Sequence, residues 1–289
     1  MSARSGGRPL LGALLPERVR WAEEAEEAGA VDGAGTGEEP RPPWLFAEEE
    51  ALMARATPGR RREFATGRLC AHRALAALGV AAAPLLRGRR GAPAWPAGTV
   101  GSITHCAGYR GAAVASAVRF LGLGIDAEPH APLPSGVREE VVFGPEEARL
   151  RELAVRRPDI AWDRLLFSAK ESVYKAWSGY GGAWLGFEDA EVAWWLDAPD
   201  VPDGPDGPRP PARARDDRLH PPARARAGLP RAAGRFRARL LVPVPAGPGP
   251  FPRVLPGRWL VREGLLLTAV AVPRPVPLPP HRTASKEYR

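Results

Sequence analysis

A chain of 289 residues is long enough for one large or two small domains, and either can bury a real core. The formal net charge of +8 suggests nucleic acid as a partner, but residues 205–239 hold ten Arg against three Asp, a local balance of +7, so the remainder is nearly neutral and no nucleic-acid partner is expected. Two cysteines, Cys70 and Cys106, make no disulfide framework or metal spacing, and no run approaches the roughly 20 apolar residues of a membrane span, so a cytoplasmic protein with no membrane partner is expected.

In chain order, residues 1–43 read as a loosely ordered leader with a Glu-rich patch from Trp21 to Glu27, ordered only where Trp21 or Trp44 docks. Gly12 and Pro16 interrupt its short apolar run, which argues against a signal peptide. Ala47 to Leu78 follows as helix, with Phe64, Leu69, Ala71, Leu75 and Leu78 at three-to-four spacing and Gly79 as its stop. Its exposed side is expected to carry Arg60, Arg61, Arg68 and Arg73. Thr99–Thr104, Gly111–Ala117 and Phe120–Ala127 read as neighbouring antiparallel strands. Two further helices are predicted, from about Pro145 to Arg156 and from Trp162 to Trp177. The second carries an apolar stripe of Trp162, Leu165, Leu166, Ala169, Val173, Ala176 and Trp177 opposite Arg164, Ser168, Glu171 and Lys175. Glu188–Leu196 returns to strand. Residues 199–233 are Pro, Ala, Arg and Gly with almost no large apolar side chains, too little to offset ordering entropy, and read as a disordered insert. Phe236–Val244 and Trp259–Val272 are strands, the latter a hairpin turning at Arg262-Glu263-Gly264, and residues 273–289 form a tail.

Three short segments carry the chemistry. In Gly124-Ile125-Asp126-Ala127-Glu128, strand alternation points Asp126 and Glu128 the same way. Paired carboxylates call for a cation, and oxygen ligands favour a hard ion such as Mg²⁺; alone, the pair reads more readily as an exposed acidic strand end. In Phe167-Ser168-Ala169-Lys170-Glu171-Ser172-Val173-Tyr174-Lys175, Glu171 and Lys175 share a helix face. In isolation they are a surface ion pair worth ~0.3–0.5 kcal/mol. As chemistry, Glu171 is a third metal ligand or a base for an incoming hydroxyl, and Lys175 neutralises phosphoryl charge. Gly101-Ser102-Ile103-Thr104-His105-Cys106 sets a hydroxyl and an imidazole at a glycine-bounded turn, a phosphate cradle if Arg60, Arg68 and the run Arg87 to Arg90 lie nearby. The chain has no GxSxG elbow and no GxxxxGK[ST] loop, which disfavours a serine hydrolase and a P-loop enzyme.

In this order and spacing, RRREFATGRLCAHR (60–73), RGRRGAPAWP (87–96), GSITHCAGYRG (101–111), GIDAEP (124–129), FSAKESVYKAW (167–177) and Trp184 to Asp189 resemble the Sfp-type 4'-phosphopantetheinyl transferases, in particular the EntD-like group. The likeness is close over residues 44–196 and looser over strands 234–272. It implies an α+β fold, a pseudo-twofold pair of similar halves that each pack a helix on a small antiparallel sheet, with coenzyme A in the cleft between them and a single chain sufficing. By family position Asp126 and Glu128 are Mg²⁺ ligands, with Ala127 contributing through its carbonyl or a water, and Glu171 is ligand or general base. Lys175 meets the diphosphate. Thr104 and His105 meet the 3'-phosphate with Arg60 and Arg68. Arg87, Gly88, Arg89 and Arg90 border the adenine, and Leu185 closes over the pantetheine arm. The implied partners are acyl or peptidyl carrier proteins. Ala127 replaces a bulkier aliphatic common in the family, and residues 199–233 have no counterpart there.

Overall fold

The computed structural model describes residues 9–25, 44–181, 184–196, 231–244 and 246–275. Most of the expected insert, the middle of the leader and the end of the tail therefore lie outside the described residues. Two antiparallel sheets, each with a 20-residue helix against it, give the α+β architecture.

The leader departs from expectation. Residues 9–25 are built into the first half: a short helix α1 (Leu11–Leu14) leads into strand β1 (Arg20–Ala25). Leu10, Leu11, Leu14, Leu15 and Val19 are buried, and the Glu23 carboxylate accepts from the backbone N–H of Leu10 and Leu11 and from the Tyr109 hydroxyl. Apolar residues bracketing Gly12 and Pro16 that look too sparse for a core are enough once a sheet edge stands ready to cover them.

The first long helical stretch is broken in two, α2 (Ala47–Ala51) and α3 (Pro58–Ala77). Pro58 forces Thr57 out of helical geometry, and Thr57 caps α3 by accepting from Arg60 N. At the other end Gly79 adopts φ +81°, with Gly79 N bonded to Ala76 O and Val80 N to Leu75 O, a Schellman stop at the predicted residue. Strands β2 (Thr99–Cys106) and β3 (Tyr109–Ser116) follow, and the first sheet has the order β1-β3-β2.

Strand β4 (Phe120–Pro129) does not continue that sheet, as its adjacency in sequence suggests, but enters the second. There it is joined, after helices α4 (Val137–Val141), α5 (Glu146–Arg156) and α6 (Trp162–Gly181), by β5 (Ala190–Leu196), β6 (Ala232–Leu240), β7 (Val254–Arg262) and β8 (Leu265–Pro273), in the order β4-β8-β7-β6-β5. α4 was not foreseen, and β6 starts at Ala232, inside the range read as insert. The β7–β8 hairpin turns on Glu263 (φ 57°) and Gly264 (φ 76°), two successive left-handed residues of the kind a two-residue hairpin loop needs.

The stripe foreseen on α6 is the larger core: Trp162, Leu165, Leu166, Ala169, Val173, Ala176 and Trp177 are all buried, with Trp259 and Phe236 beneath them. Helix α6 sits directly on β4 because Gly122 and Gly124 have no side chains there. A Cβ on Gly124 would stand 1.8 Å from Ser172 O, and one on Gly122 would stand 2.6 Å from Ala176 O. Gly124→Ala should therefore force helix and strand apart, costing on the order of 3 kcal/mol. Urea denaturation measures this, and unchanged stability would mean that the contact is not tight.

Ser102 and Thr104 of β2 staple the two sheets. Ser102 Oγ accepts from Ile125 N (3.1 Å), and Thr104 Oγ1 from Ala127 N (2.9 Å). Glycines on one side of β4 and hydroxyls on the other fix the strand that carries Asp126 and Glu128.

Candidate active site

Asp126 is 5 % exposed at the crossing of β2, β4 and α6. Its Oδ1 accepts from Lys175 Nζ at 2.7 Å, and Lys175 also donates to Ile125 O at 3.1 Å. Its Oδ2 is buried and, among the described residues, accepts no hydrogen bond. A buried carboxylate oxygen without a donor costs stability unless something absent from the apo chain supplies positive charge.

Glu128 emerges from the same face two residues on, and its Oε2 is held by Arg164 Nη1 at 2.9 Å. Burial, then the charge of Asp126, pushes the Glu128 carboxyl above its usual range despite Arg164. Half-buried Glu171 on α6 is likewise pushed up by burial; the Lys175 charge opposes this, and Asp126 and Glu128 reinforce it. Glu171 makes no hydrogen bond or ion pair among the described residues. Three carboxylates that repel one another, one with an orphaned oxygen, fit a hard divalent cation. Among the described residues no three His, Cys, Asp or Glu side chains already close on one point. The set Asp126, Ala127, Glu128 and Glu171 is thus no closed cage. Ala127, its side chain buried in the core between the sheets, has only backbone to offer. An open shell of this kind suits Mg²⁺, which retains water and takes substrate phosphate.

Cations gather beside the carboxylates. Arg60 Nη1 lies 3.0 Å from His105 Nε2 and 3.0 Å from Glu63 Oε2. Partial burial, then the neighbouring Arg60 charge, pushes the His105 imidazole down, with Lys175 and Arg110 acting in the same direction. Arg110 stands opposite His105 in the β2–β3 register, 3.8 Å from Glu63; sequence reading missed both it and Glu63.

Arg68, expected on an exposed face, is 5 % exposed, stacked 4.5 Å over the Phe64 ring and 3.7 Å from the buried Glu49. Burial pushes its pKa down; the Glu49 carboxylate offsets this, and nearby Arg87 adds to it. Glu49 ties the region together: it holds His72 at 2.9 Å and accepts from the backbone of Leu85 and Phe46. Arg87 opens a tight loop in which Gly88 N donates to Ala92 O and Arg90 takes φ 55°, with Arg89 in the same turn.

Two further expected contact residues, Thr104 and Leu185, are largely buried. The Thr104 hydroxyl accepts from Ala127 N and lies 3.5 Å from Asp126 Oδ1, on the face of β2 opposite the solvent side that carries His105. Leu185, expected over a bound arm, spends its side chain on core packing at 5 % exposure. Burial, followed by the charges of Glu128 and Asp126, pushes the Cys106 thiol up to about 12.

Lys170, adjacent to Glu171, was also missed. It is buried, with Nζ donating to Glu146 Oε2 (2.7 Å), Val141 O (2.8 Å) and Phe187 O (2.8 Å). Its signal was a lysine at 170, between Leu166 and Val173 in the apolar stripe, where only a paired charge survives burial.

Carboxylates on one wall and Arg, His and Lys donors on the next define an α+β protein suited to handling a phosphate ester with a divalent ion. A family model described as "4'-phosphopantetheinyl transferase N-terminal domain" matches residues 48–115, and one described as "4'-phosphopantetheinyl transferase superfamily" matches residues 122–201. The chain is 49 % identical over 231 residues to the 4'-phosphopantetheinyl transferase Svp of Streptomyces mobaraensis, which covers 80 % of each chain. It is 40 % identical over 233 residues to PptT of Mycobacterium tuberculosis, covering 80 % of this chain and 88 % of the relative, and 40 % identical over 224 residues to Npt of Nocardia iowensis, covering 77 % and 87 %. The chain belongs to the Sfp-type 4'-phosphopantetheinyl transferase family. No helix among its described residues is long and apolar enough to cross a membrane.

Proposed function

We propose that the protein transfers the 4'-phosphopantetheine arm of coenzyme A to a serine of an apo acyl or peptidyl carrier protein, releasing adenosine 3',5'-bisphosphate, in a Mg²⁺-dependent reaction. The observation that carries this reading is the buried Oδ2 of Asp126, which accepts no hydrogen bond among the described residues, on a carboxylate that pairs with Lys175 and whose charge reaches both Glu128 and Glu171.

Asp126 and Glu128, with Glu171 beside them, hold the ion, which when bound supplies positive charge to the diphosphate. Lys175 neutralises the same diphosphate. Arg60 and His105 bind the 3'-phosphate, and Arg68 with the loop Arg87 to Arg90 flanks the nucleotide. Glu171, without a hydrogen bond among the described residues and with its affinity for protons raised by burial, accepts the serine proton. The serine oxygen bonds to the β-phosphorus, and the bond from that phosphorus to the oxygen of the departing adenosine 3',5'-bisphosphate breaks, with the electron pair leaving on that oxygen. Positioning and charge neutralisation make up most of the catalysis, as in other phosphoryl transfers. Both sheet-and-helix units lie on one chain, which supports the reading that a single chain suffices for the reaction.

The test is intact mass of an apo carrier protein after incubation with the enzyme, coenzyme A and Mg²⁺. One added phosphopantetheine is expected, with none in EDTA. No gain across acyl, aryl and peptidyl carriers by a folded protein would overturn the assignment.

A further inference from the structure

The N-terminal turn of α6 grips the loop that leaves β4. Arg164 donates from Nη1 to Glu128 Oε2 (2.9 Å), from Nε to Ala131 O (3.2 Å) and from Nη2 to Pro132 O (2.8 Å), so all three guanidinium nitrogens are engaged. Next to it, Asp163 Oδ2 accepts from Leu133 N at 3.0 Å, and Ala161 N donates to His130 Nε2 at 3.1 Å. The loop is thus held at three points, but only Arg164 also holds the carboxylate.

We infer that Arg164 is a positioning residue for the divalent cation, fixing one oxygen of Glu128 so that its carboxylate stays in the Asp126 site. This rests on the metal reading above and assigns a role to a residue outside the set that reading uses. The physical case is one of repulsion and freedom. Glu128 faces the like charge of Asp126, is only partly buried, and has rotamers that would swing it into solvent. A guanidinium whose other two nitrogens are tied to backbone carbonyls is preorganised, so it holds the carboxylate with little further loss of freedom. A lysine could supply the charge, but only from a single nitrogen, and not the spread of three nitrogens by which Arg164 reaches three separate acceptors.

The test is direct Mn²⁺ binding, read by electron paramagnetic resonance in the presence of coenzyme A, on wild type, Arg164→Lys, Arg164→Ala and Asp163→Ala. Each fold is checked by circular dichroism. Asp163→Ala cuts the loop staple without touching Glu128. Arg164→Ala is expected to weaken Mn²⁺ binding about tenfold or more and Arg164→Lys by less, with Asp163→Ala near wild type. The Mg²⁺ concentration for half-maximal transfer should rise in the same order. Equal weakening by Asp163→Ala and Arg164→Ala would place the effect in the loop and overturn the inference, as would unchanged binding by Arg164→Ala. Saturable wild-type binding that Asp126→Asn leaves intact would instead overturn the metal assignment itself, and the inference with it. If Arg164→Ala does not fold, Arg164→Lys decides alone: wild-type Mn²⁺ affinity in that variant overturns the three-point argument.

Discussion

Asp126→Asn is expected to lower transfer by about 10²–10³-fold or more while leaving the fold as stable as wild type or more so. The amide keeps an oxygen where Lys175 and Thr104 meet Oδ1, so the local hydrogen bonds survive. What is lost is the charge of a buried group with an unsatisfied oxygen that pushes up both Glu128 and Glu171. Removing it relieves the apo protein of repulsion and deprives the bound ion of a ligand. Single-turnover transfer followed by mass, together with thermal denaturation, separates the two effects. Wild-type turnover by the variant in magnesium would dismiss Asp126 as a ligand, and a large loss of stability would make it a structural residue.

Lys170→Met is expected to do the reverse, costing stability by about 3–5 kcal/mol because it strands a buried Glu146. Both side chains of that pair are 2 % exposed, and Glu146 also accepts from Val192 N (2.9 Å) and Phe143 N (3.1 Å). The pair therefore joins α6 to α5, to β5 and to the turn at Phe187. Adding Glu146→Gln should recover part of the loss, since a neutral amide tolerates burial without a cation and still accepts from one backbone N–H. Lys175→Met, five residues along the same helix, should cost activity with little stability, because Lys175 is partly exposed and pairs with the site. Urea unfolding of the three variants measures this contrast. A Lys170→Met protein as stable as wild type would show that the buried pair contributes nothing net.

The contrast marks how far the sequence reaches. Periodicity places α6 and its apolar stripe, Gly79 stops α3, and the Glu263-Gly264 turn pairs β7 with β8, because each depends on local geometry alone. Strand alternation likewise puts Asp126 and Glu128 on one face, and helix spacing puts Glu171 beside Lys175. Which lysine is buried, whether Arg68 faces solvent, where the Thr104 hydroxyl points and which sheet β4 joins are decided by partners far along the chain: Glu146, Glu49, Ala127 and β8. Residues 9–25 looked too sparsely apolar to order, and they order because β3 offers an edge. The sequence by itself determined the long elements, α3, α6 and the β7–β8 hairpin, and the identities of the reactive groups, since propensity and patterning are short-range. Only the tertiary structure decided which charges face each other and which are buried, because ion-pair energies turn on distance and desolvation that packing alone sets.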